Sequence, residues 1–97
     1  MPAQLIYREK HILSDGFLVE MVIWRLPRNT GDKPHGIKYR LYYGLPNGRC
    51  VVRYDNESGK GDHRHFKNRE MPYRFIDAET LIRDFCADVE QARRSAS

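Results

Sequence analysis

The sequence predicts an α+β fold, an antiparallel β-meander of four to six strands with one C-terminal amphipathic helix packed on one face. Three observations carry that expectation. β-rich runs follow one another with glycine, proline and asparagine between them; Asn47-Gly48 supplies the strongest short hairpin signal; and at Ala78 the apolar period changes from two to three and four. At 97 residues and 11.5 kDa the chain forms one domain, 1–97, large enough for a core without staples.

The first strand is expected at about residues 4–11, where Leu5-Ile6-Tyr7-Arg8-Glu9-Lys10 is β-rich and half alternating before the turn residues Ser14-Asp15-Gly16. The second, 16–26, is apolar on both alternating faces except at Glu20 and Arg25, the pattern of a covered strand in the middle of a sheet. Pro27 ends it, and the connection through Gly31, Pro34 and Gly36 is too polar to pack. A third strand, 37–44, alternates cleanly: Ile37, Tyr39, Leu41 and Tyr43 on one face, Lys38, Arg40 and Tyr42 on the other. Leu45-Pro46-Asn47-Gly48 turns the chain into a fourth strand, 49–55.

A motif loop then spans 55–65. A short hairpin within 63–76 is expected around Lys67-Asn68-Arg69, with Tyr73 to Ile76 as its second arm and Pro72 confining that arm to an edge. From residue 78 to 93 the positions Ala78, Leu81, Ile82, Phe85, Cys86, Val89 and Ala92 define the helix. Asp77 is its N-cap, and Glu79 lies in the first turn, where the helix dipole favours an acid. Asp84 and Asp88 read as a solvated acidic edge beside Arg83, and His11 and His35 as exposed structural residues.

One helix covers one face of such a sheet. The other face is expected to carry Lys38, Arg40 and Tyr42, with Arg53, Trp24, Arg8 and Lys10 as neighbours, a mixture that stacks bases and neutralises phosphates; an ordinary solvated sheet face is the competing reading. Seventeen Lys and Arg against 13 Asp and Glu give a net charge of +4, which fits a polyanionic partner. No apolar run approaches the roughly 20 residues that span a bilayer. Cys50 and Cys86 form no C-x-x-C and follow no secretory leader, so they are expected to be reduced core residues of a cytoplasmic protein.

The densest chemistry lies between Tyr54 and His65: three acids, two imidazoles, two cations and two glycines in twelve residues. Gly59 and Gly61 give the backbone freedom to approach a ligand, Lys60 between them meets an anion, and His63 and His65 share a face if the chain after Asp62 is extended. A P-loop fails because Lys60 is followed by glycine and aspartate. An EF-hand starting at Asp55 fails because Lys60 stands where its glycine belongs. A structural zinc site fails because both cysteines lie far from the histidines.

Three readings remain. In metal-free RNA cleavage one of His63 and His65 accepts the ribose 2′-hydroxyl proton and the other donates to the leaving oxygen, while Lys60 or Arg64 meets the phosphate and Asp62 assists. Substrate contacts are then assigned to Trp24, Arg40, Tyr42, Arg53, Tyr54, Asn56, Gly59 and Gly61. In the second reading, a metal-dependent phosphodiesterase, Asp62, His63 and His65 hold a divalent ion with Asp55 or Glu57. In the third, Asp55 and Asn56 build an Asx turn, Asp62 pairs with Arg64 or another base, and the histidines are surface hydrogen bonders. The first needs no cofactor or metal.

With Tyr54-Asp55-Asn56-Glu57-x-Gly59-Lys60-Gly61-Asp62-His63-Arg64-His65 in view, together with Glu20-Met21-Val22-Ile23-Trp24, Lys38-Tyr39-Arg40-Leu41, Pro72-Tyr73-Arg74-Phe75 and Asp84-Phe85, the chain resembles the TumE-like family of small bacterial proteins almost end to end. That resemblance implies the toxin of a type II toxin-antitoxin system, with a cognate antitoxin of helix-turn-helix type as its partner and, by analogy with other small toxins, RNA as its target. It assigns no catalytic role to His63 or His65. A homodimer through Trp24 and the tyrosines is an alternative use of the same surface.

Overall fold

Strand side chains alternate between two faces, so the register of pairing decides which residues meet. The computed structural model describes residues 2–29, 31, 33–57 and 61–95. Six strands, β1 (Gln4–Ile12), β2 (Leu18–Arg25), β3 (Ile37–Gly44), β4 (Cys50–Asp55), β5 (His63–Phe66) and β6 (Arg69–Pro72), pair antiparallel in chain order, and α1 (Ala78–Ser95) follows. The predicted α+β meander with one C-terminal helix is the observed fold.

The helix lies over β3 and β4. Its inward stripe, Leu81, Phe85, Asp88 and Ala92, meets Met21, Ile23, Tyr39, Leu41, Tyr43, Val52 and Tyr54 in one core. Leu81 and Phe85 are fully buried, and each contributes about 2 kcal/mol by leaving water. Asp77 Oδ1 accepts the Thr80 N–H at 2.7 Å, the expected N-cap.

Several expectations are corrected. β2 is second from the edge rather than central, since β1 is the only strand outside it, and it is covered on one face only: Leu18, Glu20, Val22 and Trp24 lie on the face that the helix leaves open and are half-buried there. The second hairpin turns on Lys67 and Asn68, not on three residues. Lys67 takes a left-handed conformation with φ 57°, which tightens the turn, and the second arm is Arg69–Pro72 instead of Tyr73 to Ile76. Pro72 closes β6 on the outer edge, where a missing N–H costs no ladder bond.

The connection between β2 and β3 packs. Lys33 and Gly36 are buried in it, and the His35 ring lies 4.1 Å from that of Phe75. Asp88 is buried rather than solvated: it accepts the Tyr54 hydroxyl at 2.6 Å and pairs with Arg64 at 3.1 Å, and Asp84 accepts the Tyr73 hydroxyl at 2.7 Å. Buried phenols need acceptors, and these two aspartates supply them. Both cysteines are free; Cys50 is half-buried, and Cys86 is exposed because it stands beside, not on, the inward stripe.

Candidate functional site on the open sheet face

The uncovered face is built from cross-strand rows. One row reads Lys10, Glu20, Tyr42, Arg53, His65 and Glu70; the next reads Arg8, Val22, Arg40, Asp55, His63 and Pro72; Leu5, Trp24 and Lys38 begin a third. His63 and His65 therefore share the open face with Arg40, Arg53, Tyr42 and Trp24. In a strand, positions two apart are about 7 Å from each other, a spacing that brackets one phosphodiester group. Extended chain after Asp62 is what places them so.

His63 is 7% exposed, with Nδ1 hydrogen-bonded and Nε2 close to two carboxylates. Nδ1 lies 3.1 Å from the Gly61 carbonyl, and Nε2 lies 2.9 Å from Asp55 Oδ1 and 3.6 Å from Glu70 Oε1. A carbonyl only accepts, so Nδ1 donates. Gly61 sits at φ 78°, the conformation that turns its carbonyl back onto the ring and that glycine adopts without strain. The contact of Nε2 with Asp55 is close but not aligned as a hydrogen bond, since Asp55 Oδ1 has no hydrogen-bond partner. Next to the ring lies an open cleft of about 220 Å³ lined by Asp62, His63, Glu70, Met71 and Pro72.

Three cations of this face are ion-paired: Arg40 with Glu20 on the neighbouring strand at 3.8 Å, Arg53 with Asp55 two residues on in the same strand at 3.3 Å, and Lys38 with Glu57 just after β4 at 3.6 Å. Tyr42 is buried rather than offered to a base. Its hydroxyl donates to the Gly48 carbonyl at 2.9 Å, Arg40 stacks on it at 5.0 Å, and its ring occupies the space above Gly44, where any Cβ would clash with the Tyr42 hydroxyl. Trp24 is half-buried opposite the exposed Leu5.

Not every site residue inferred from sequence comes to this face. Arg64 and Tyr54 point to the helix side, where both meet Asp88. Asn56 is wholly buried: Oδ1 accepts the Tyr39 N–H at 3.0 Å, and Nδ2 donates to the Ile37 carbonyl at 2.8 Å and to Asp62 at 3.1 Å. Asp62 gathers those bonds together with the Tyr39 hydroxyl at 2.7 Å and His35 Nε2 at 3.0 Å. His35 Nδ1 accepts the Ile37 N–H, which fixes the ring's hydrogen on Nε2 and makes His35 a half-buried clamp rather than an exposed residue. Burial and the Asp62 carboxylate push the Tyr39 phenol far above its ordinary range.

The roles given to Lys60 and Gly59 lie outside the described residues. Among the described residues no three His, Cys, Asp or Glu side chains gather as a metal site requires, which leaves the Asp62, His63 and His65 metal reading without a ligand cluster. Asp55 as the support of His63, and Glu70 altogether, escaped the sequence reading of the site. The signal for Glu70 was the hairpin register, which pairs it with His65 only when the turn is placed on Lys67 and Asn68.

The fold and the site together define a small α+β domain whose single helix leaves one histidine-bearing antiparallel face uncovered. The family model described as Toxin TumE matches residues 2–93, and the chain belongs to that family. It is thus a toxin by family, and an antitoxin is the partner that membership implies. Comparisons with curated proteins and with solved structures return no match. Among the described residues no helix is long and apolar enough to cross a membrane.

Proposed function

We propose that this toxin is a metal-independent endoribonuclease of a type II toxin-antitoxin system, acting on RNA laid across the open face and restrained by an antitoxin of helix-turn-helix type. The observation that carries the reading is the placement of His63 and His65 two residues apart on that face, in rows with Arg40 and Arg53. His65, the less confined ring, accepts the 2′-hydroxyl proton, and His63, as the imidazolium with Nδ1–H held on the Gly61 carbonyl, donates its Nε2 proton to the leaving 5′-oxygen. The 2′-oxygen attacks phosphorus, the P–O5′ bond breaks, and a 2′,3′-cyclic phosphate remains. Arg40 and Arg53 meet the phosphate charge once the substrate displaces their carboxylate partners.

A non-catalytic docking module is the second reading, favoured by the pairing of the basic side chains with carboxylates and by Leu5 and Trp24 side by side on the same face. The same variants separate the two. His63→Ala and His65→Ala are each expected to slow RNA cleavage by about 10²- to 10⁴-fold while circular dichroism stays unchanged. A folded double variant that still arrests growth like the wild type would hand the function to the docking reading.

A further inference from the structure

The cleft beside His63 holds one feature that the proton-transfer scheme does not use. Glu70 lies on the outermost strand, with its side chain 47% exposed, directly opposite His65 and 3.6 Å from His63 Nε2. Asp55, by contrast, is buried beside the same ring, directly across from His63, where it also contacts Arg53. Two carboxylates therefore flank one imidazole, one buried and one at the rim.

We propose that this cleft is an oxyanion subsite for a phosphate group, and that the Glu70 carboxylate stands where phosphate oxygens bind. The proposal rests on the RNA reading and specifies how its phosphate is held. A carboxylate and a phosphate both offer two anionic acceptor oxygens at similar spacing, so a donor set that holds one suits the other. The donors stand around it: His63 lines the cleft, His65 is its neighbour on the face, and Arg53, whose Nε lies 3.3 Å from Asp55, stands next to His65 in the same row. Glu70 leaves by rotating outward from an edge strand, without breaking the buried Asp55 contacts. Until a phosphate arrives it keeps a carboxylate facing His63.

Titration of inorganic phosphate into the folded protein at constant pH, followed by the imidazole resonances of His63 and His65, tests this without any cleavage reaction. Phosphate is expected to move both sets of resonances. Glu70→Gln removes the competing charge and is expected to tighten binding about five- to tenfold, and Glu70→Ser to do the same. Glu79→Gln, an exposed carboxylate in the first turn of α1, removes equal charge elsewhere and is expected to leave the affinity within about twofold. A 2′-deoxy dinucleotide that moves the same resonances supports a diester as the ligand; a response to phosphate alone supports a terminal monoester. Unmoved imidazole resonances, no gain in the Glu70 variants, or an equal gain in Glu79→Gln would each overturn the proposal. Loss of RNA cleavage in Glu70→Gln with unchanged phosphate affinity would also overturn it, assigning Glu70 as a proton acceptor instead.

Discussion

Asn56 shows how one side chain fixes the start of the motif. Its amide replaces backbone partners for Tyr39 and Ile37 at the end of β3 and reaches Asp62 across the loop, so it holds the two ends of the motif together with no exposed surface. Asn56→Ala strands a buried N–H, a buried carbonyl and part of a carboxylate shell. The expected loss is about 2–4 kcal/mol, read from urea denaturation. Little of this was legible in the sequence. Asn56 beside Asp55 looks like an Asx turn, and only the packed register of β3 against β4 reveals that its amide is buried. Tyr42 misled for a related reason: alternation gave its face correctly, but only the glycine at 44 allows its ring to lie down along the strand and disappear from the surface.

At the scale of elements, the helix and the sheet are joined by apolar packing and by phenol–carboxylate bonds, Tyr54 to Asp88 and Tyr73 to Asp84. Helix, cap and strands were readable because each follows from a local period or turn residue. The Asp88 contact was not, since a charged residue at a helical inward position is interpretable only once the facing tyrosine and arginine are known. These bonds set an alkaline limit on stability. Burial raises the phenols of Tyr39, Tyr54 and Tyr73 above their ordinary value of 10.0, with the bonded aspartate as the second cause in each. The folded state therefore holds these protons more tightly than the unfolded chain. The stability they give is complete below about pH 10 and is lost as pH rises beyond it. Absorbance at the phenolate band is expected to show these three tyrosines ionising together with unfolding, as a cooperative step; gradual titration of all six in a folded protein would contradict this.

For the whole molecule the decisive asymmetry is that one helix covers one face. The sequence supplied both halves of that statement, an antiparallel meander and a single amphipathic helix; strand alternation then sorted Lys38, Arg40 and Arg53 onto the open side and His63 with His65 onto one face, which the register shows to be the same one. What alternation lacked was register between strands: it left Arg64 in the catalytic set, although the chain turns it to Asp88, and it missed Glu70. The face that results carries paired charges around two imidazoles, and the proposed RNA reading has a polyanion exchange its phosphates for those carboxylates. The end groups of RNA cut by the purified toxin in the presence of a chelator test this account most directly. A 2′,3′-cyclic phosphate, with no cut at a 2′-deoxy position, is the predicted result; intact RNA, or fragments ending in a 3′-hydroxyl that vanish on chelation, would contradict it.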